Sequence, residues 1–182
     1  MDSGPAFDTK LPDYSIRRLT PEDTGALQRL YDKCADYTWI VEGEPVSPTA
    51  AQEDMQAVPP GRSLSDKFLF GLIDSRSEIA GMLEGMRHYP DQGVWWIGLL
   101  LLAPEVRNQG IGRQLLSGFF EYVRSQGGNA VMLGVVEDNT QAYRFWQHTG
   151  FERVRQTDPH PFGKKMQLVY VMRLEMDKER TD

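Results

Sequence analysis

The chain has 182 residues, 40% of them hydrophobic and 25% charged, which suits one domain with a core that needs no disulfide, and its single cysteine, Cys34, excludes an internal one. Its 20 basic and 26 acidic residues give a net charge of −6, which excludes nucleic-acid binding through bulk charge and leads us to expect a cytoplasmic protein. No apolar run approaches a bilayer span, and the opening residues, broken by Asp2, Pro5, Asp8 and Pro12, lack the apolar centre of a secretory signal, so neither a membrane partner nor a targeting segment is expected.

In chain order, residues 1–12 read as a loose arm, 13–176 as one domain and 177–182 as a frayed tail. Tyr14–Leu19 is a first strand. Thr20-Pro21-Glu22-Asp23 is a helix start, with a capping hydroxyl, a proline suited to the first turn and acids suited to the dipole. The helix is expected to run to about Tyr37, with Leu27, Leu30, Tyr31 and Cys34 on its apolar stripe; Cys34, with no base nearby in sequence, reads as a buried thiol rather than a nucleophile. Trp39–Asp66, interrupted by Pro45, Pro48, Pro59 and Pro60, is expected to be irregular, with a short helix inside Thr49–Val58. Its acids Glu42, Glu44, Glu53 and Asp54 are either solvated or meet a cationic substrate.

Lys67–Ile73 and Glu78–Tyr89 form a predicted hairpin turning at Asp74–Ser77. Alternation on its second strand puts Ala80, Met82, Glu84, Met86 and His88 on one face. Glu84 is then a carboxylate among apolar neighbours. Such a setting raises a carboxyl pKa and can poise a base near neutrality if the face looks onto a substrate; a glutamate at the sheet rim is the alternative.

Val94–Leu102 carries no charge and reads as a strand buried on both faces, with Trp95 and Trp96 pointing to opposite sides of the sheet. Pro104 ends it, and Arg107-Asn108-Gln109-Gly110-Ile111-Gly112 leads into a helix whose Ile111, Leu115, Phe119, Tyr122 and Val123 share one stripe. A helix that starts on a glycine turn presents unpaired N–H groups and a positive dipole end, a cradle for phosphate, although a plain tight turn has the same look. The turn lacks the Gly-Lys-Ser/Thr of a P-loop and the third glycine of a dinucleotide fingerprint. Downstream, Gly127 and Gly128 stop the helix, Ala130–Val136 is a strand, Asn139–Thr149 a helix, and Phe151–Arg155 and Met166–Met176 two final strands across a loop at Pro159–Gly163.

Arg107, Gly110 and Gly112 resemble the Arg/Gln-x-x-Gly-x-Gly/Ala motif of the GNAT superfamily of acyl-CoA-dependent N-acyltransferases. The stretch Asn139-Thr-Gln-Ala142-Tyr-Arg-Phe145-Trp146-Gln-His-Thr-Gly150-Phe151 is similar to that family's second conserved segment, in the right order after the first. The resemblance implies an α/β (α+β) GNAT fold: a mixed, mostly antiparallel sheet of six to seven strands flanked by about four helices, with a splayed central strand pair. It implies an N-acetyltransferase that moves the acetyl group of acetyl-CoA to a primary amine, a small molecule or a peptide, by direct attack in a ternary complex, with no metal and with a homodimer possible.

The same resemblance assigns the cofactor to Leu100 and Leu102 on the splayed strand, to the turn and helix start at Arg107, Asn108, Gln109, Gly110, Ile111, Gly112 and Arg113, and to Asn139, Ala142, Tyr143 and Trp146. Glu84 is the expected base. Trp146 stands where the family's proton-donating tyrosine is usual, and an indole cannot supply a proton at neutral pH. Tyr143, a water or the product ammonium are the remaining donors, and Tyr143 is the one we expect. The alternative function is a non-catalytic acyl-CoA sensor or interaction module on the same scaffold.

Overall fold

A computed structural model describes residues 6–176; the frayed tail expected at 177–182, and residues 1–5 of the arm, lie outside the described residues. Seven strands form one sheet in the order β1-β2-β3-β4-β5-β9-β6. They are β1 (Tyr14–Arg18), β2 (Lys67–Asp74), β3 (Ile79–Arg87), β4 (Val94–Leu102), β5 (Ala130–Val136), β6 (Glu152–Gln156) and β9 (Val169–Glu175), and among the described residues only β4 and β5 pair in parallel. Five helices pack around it: α1 (Thr24–Lys33), α2 (Ala35–Val41), α3 (Ala50–Gln56), α4 (Ile111–Ser125) and α5 (Thr140–His148). A separate small hairpin pairs β7 (His160–Phe162) with β8 (Lys165–Gln167).

Register explains the two faces of the sheet. Leu69 lies opposite Glu84, Lys67 opposite Met86, and Met86 opposite Trp96, so these side chains share one face. Phe68, Phe70 and Trp95 point the other way, where Phe119 and Tyr122 of α4 meet them at ring-centroid distances of 5.3–5.9 Å. The α4 stripe predicted from its period is the one that buries: Ile111, Leu115, Phe119 and Val123 are all sealed from solvent, each contributing roughly 1.5–3 kcal/mol. Phe7, from the segment ahead of β1, stacks on Tyr122 with its edge to Phe70 and is buried with Leu11.

Three expected elements differ. Residues 160–162, expected in a loop, form the strand β7. The first helix breaks at Cys34 rather than running on to Tyr37, and α2 then continues through Trp39 into the stretch expected to be irregular. Tertiary contacts make that corner: the Cys34 N–H bonds to the carbonyls of Leu30 and Tyr31, its thiol lies 3.4 Å from the Leu102 carbonyl, and Asp36 is gripped by Arg107. The long final strand divides at Leu168, because the buried Gln167 side chain is spent on the carbonyls of Ile40 and Val41 and on the Asp138 N–H, which pins β8 to the end of α2.

The feature that positions the site is a gap in the sheet. Across β3 and β4, Glu84 faces Leu99 while Gly85 faces Ile97, so Gly98 is an extra, bulged residue on β4. The parallel pairing of β4 with β5 stops at Ile97 and Leu133, one residue before that bulge. Beyond it the two strands diverge, and the β5-facing edge of Gly98–Leu102 has no strand partner among the described residues.

Candidate active site

Three cavities open along this gap. The first, of about 420 Å³, lies over the glycine turn. Leu100 and Leu102 of β4 form one wall; Arg107, Asn108, Gly110, Gly112 and Arg113 form the floor; Asn139, Ala142 and Phe145 of α5 close the far side, and Asp36, Tyr37 and Ile40 of α2 cover it. Gly110 caps α4 with φ +78°, a left-handed conformation that glycine adopts without strain. The first intrahelical bond of α4 is that of the Gln114 N–H to the Gly110 carbonyl, so the amides of Ile111, Gly112 and Arg113 are left for an anion. The Arg107 guanidinium is already engaged: Nε donates to the Leu102 carbonyl at 2.8 Å and the two terminal nitrogens to the Asp36 carboxylate, holding the Asp36 carboxyl below the usual range.

The second cavity, of about 270 Å³, lies between the diverging strands and shares Tyr37, Leu100, Asn139 and Ala142 with the first. Trp146, Val135 and Phe162 of the small hairpin also line it. Because the Leu102 carbonyl turns toward Arg107 and the Ala103 N–H toward the Ala80 carbonyl, strand alternation points the backbone groups of Leu100 and the Leu102 N–H into the gap. Asn139 caps α5 through its side-chain oxygen, which accepts from the Ala142 N–H at 3.1 Å, leaving its amide nitrogen as a donor.

The third cavity, of about 320 Å³, touches the second through Trp96 and Gly98. At its base lies a buried charge cluster: Lys67 Nζ donates to Glu84 Oε2 at 2.7 Å and to the Ala57 carbonyl at 3.1 Å, and lies 3.9 Å from Asp54, which in turn accepts from the Tyr31 hydroxyl at 2.9 Å. Glu84 is 7% exposed. Burial, reinforced by the Asp54 charge and opposed by Lys67, pushes its pKa up to about 7. Its other oxygen, Oε1, lies 2.1 Å from where a Cβ on Gly98 would stand, so the bulge glycine is what lets the carboxylate reach the broken part of β4.

Of the residues the sequence singled out, Leu100, Leu102, Arg107, Asn108, Gly110, Gly112, Arg113, Asn139 and Ala142 line the cavity over the turn, Trp146 lines the gap, and Glu84 lines the third cavity. Three lie elsewhere. Gln109 donates to the Glu105 carbonyl, the Ile111 side chain is in the core, and Tyr143 packs on Tyr170 of β9 with ring centroids 5.1 Å apart, outside all three cavities. Sequence reasoning passed over Tyr37, whose ring lines both the first and the second cavity. Burial and the charges of Glu42, Glu84 and Asp54 push its phenol pKa upward, so it stays protonated. Lys67 was also passed over. Both escape a linear reading because each acts from an element remote in sequence; Lys67 lies opposite Met86 in the β2–β3 register and reaches Glu84 only diagonally, two residues away on the same face of β3.

Three linked cavities, one over a helix N-terminus, one beside a strand edge with free amides and one holding a buried carboxylate of near-neutral pKa, define an acyltransferase with two substrate arms. The sequence model of the acetyltransferase (GNAT) family matches residues 24–151, and the chain belongs to that family. Its enzymes use acetyl-CoA. An acetyltransferase from Thermus thermophilus is 25% identical, with a TM-score of 0.71 over 89% of this chain and 97% of that one. The spermidine N-acetyltransferase of Vibrio cholerae, solved with CoA and spermine, shares the fold at 17% identity and a TM-score of 0.69, covering 90% of this chain and 96% of that one. So does the ribosomal-protein-S18-alanine N-acetyltransferase of Escherichia coli, at 16% identity and a TM-score of 0.68, covering 93% and 97%. Among curated proteins no sequence matches.

Proposed function

We propose that the protein acetylates a primary amine by direct attack on acetyl-CoA in a ternary complex. The observation that carries this reading is the continuity of the cavities: Tyr37, Leu100, Asn139 and Ala142 join the first to the second, and Trp96 and Gly98 join the second to the third. The α4 amides and Arg113 suit the pyrophosphate, the free edge of β4 suits the pantetheine arm, and the thioester carbonyl meets an N–H donor at Leu100 or Leu102. Glu84 takes a proton from the incoming ammonium. The amine nitrogen then bonds to the carbonyl carbon and loses a second proton to solvent, the C–S bond breaks, and the thiolate takes up a proton. For that last proton the cavity lining favours Tyr37 over Tyr143, because Tyr37 lies where the two cavities meet and Tyr143 packs outside them.

Titration calorimetry tests the cofactor half. Arg107→Ala combined with Gly110→Ala is expected to weaken acetyl-CoA binding more than tenfold, and unchanged binding would refute the assignment. One observation favours a second reading, a non-catalytic acyl-CoA sensor: Trp146 occupies the thioester cavity where the family's usual donor is a tyrosine. Acetyl-CoA binding with no thiol release across a broad amine panel would establish the sensor.

A further inference from the structure

We infer that the acceptor is a monoamine carried on an aromatic body, an arylalkylamine, seated in the cavity of about 320 Å³ between α3, the segment that follows it and strands β3 and β4. This rests on the acetyl-transfer reading and goes beyond it, since nothing in the chemistry of transfer fixes what the amine is attached to. Charge sets the number of ammonium groups. The cavity base holds two carboxylates, Asp54 and Glu84, and one ammonium, Lys67, within 3.9 Å of both. With all three ionised the cluster carries one net negative charge, which one added cation neutralises. A second ammonium would find no further carboxylate in the lining. It would also approach Arg62, whose guanidinium lies 5.5 Å from the centre of the Tyr89 ring on the cavity wall and is fixed there by its 2.7 Å bond to the Pro90 carbonyl.

The remaining wall sets the body. Away from the charges it is Val58, Pro59, Met86, Tyr89 and Trp96, flat and apolar. Tyr89 and Trp96 meet edge to face, 5.7 Å apart at 84°, so the two rings meet at a corner, an arrangement that accepts a third ring by stacking on one and presenting an edge to the other. Trp96 and Gly98 also border the thioester gap, so an amine held at Glu84 Oε1 stands next to the reacting carbon while its ring extends toward Tyr89.

The test measures kcat/KM by thiol release from acetyl-CoA with 2-phenylethylamine, tryptamine, butylamine and spermidine. At least one aryl amine is expected to exceed both butylamine and spermidine tenfold or more, and Tyr89→Ala, checked as folded by its retained calorimetric affinity for acetyl-CoA, is expected to cut the aryl-to-butyl ratio at least fivefold. Spermidine as the best acceptor, or a ratio unchanged in Tyr89→Ala, would overturn the arylalkylamine assignment while leaving acetyl transfer intact. Acetyl-CoA binding without release by any of the four would overturn the arylalkylamine assignment, and the same result across the broad amine panel would overturn acetyl transfer as well.

Discussion

Lys67 and Asp54 act on Glu84 with opposite signs, so neutralising each should move the pH profile in opposite directions. A pKa raised from 4.5 to about 7 is a bias on the order of 3 kcal/mol against the ionised carboxylate. If Glu84 is the base, kcat/KM of the parent enzyme should fall below pH 7 and drop about 100-fold between its plateau and pH 5, where about 1% of the base is ionised. Asp54→Asn removes a repelling charge and should shift this limb to lower pH. Lys67→Met removes an attracting charge 2.7 Å away, for which Coulomb's law at an effective dielectric of about 20 gives roughly 6 kcal/mol before solvation is counted, and should shift the limb upward and further. The acceptor's own ammonium contributes the same titration to all three enzymes, so the differences isolate Glu84. The assay is thiol release in buffers from pH 5 to 9 at constant ionic strength. Limbs that stay together, or that move in the same direction, would refute the cluster as the setting of the base.

The same shift has a thermodynamic face. Unfolded, Glu84 titrates at its ordinary value of 4.5; folded, it holds its proton to about 7. The folded state therefore binds more protons in that window, and the Glu84 contribution to stability is present below pH 4.5 and lost as pH rises through 7. Glu84→Gln should abolish this part of the pH dependence of thermal unfolding. Of the two tyrosines, Tyr37→Phe should lower kcat tenfold or more with acetyl-CoA affinity kept, whereas Tyr143→Phe should stay within twofold; the reverse order by steady-state kinetics would return the donor to α5. Gly98→Ala places a methyl 2.1 Å from Glu84 Oε1, so kcat/KM should fall at least 100-fold while circular dichroism shows a folded protein, and activity retained within threefold would mean that the carboxylate does not work from that position.

The parts of this site that were legible in the sequence are those written locally. The charge-free run of β4, the glycines of the turn and the apolar stripe of α4 each follow from neighbours a few positions away; strand and helix form where expected, but β4, expected to be buried on both faces, is open at Gly98 and half-buried at Leu99, Leu100 and Leu102. The alternation that put Glu84 on one face with Met82 and Met86 depends only on a period of two, and in the structure the carboxylate lines the third cavity. What a linear reading lost was whatever depends on register or on a break. The turn between α1 and α2 has no proline or glycine to announce it. It is imposed by Leu102 and Arg107, some seventy residues on. A helix drawn straight to Tyr37 hides both Asp36 and Tyr37 from the site. The expectation that Tyr143 joins Asn139, Ala142 and Trp146 at the cofactor meets a different obstacle: an angle of 100° per residue leaves Tyr143 on the border of their stripe, and its ring packs on Tyr170 of β9, outside the three cavities.

That corner also bears on what Arg107 does. A motif arginine beside a phosphate cradle is expected to bind phosphate, yet here its guanidinium is spent on the Leu102 carbonyl and the Asp36 carboxylate. The donors left for a pyrophosphate are the α4 amides, with the exposed Arg113 beside them on the cavity lining. Arg107 instead ties the end of β4 to the start of α2, and α2 presents Tyr37 to the junction of the first and second cavities while its last carbonyls hold Gln167 and, through it, the hairpin that contributes Phe162. Loss of Arg107 would thus reach past phosphate affinity. With the α2 corner released, the phenol and the far wall of the thioester cavity would lose their position together, and kcat would fall along with the affinity for acetyl-CoA, a combination that a residue acting only as a phosphate ligand would not produce.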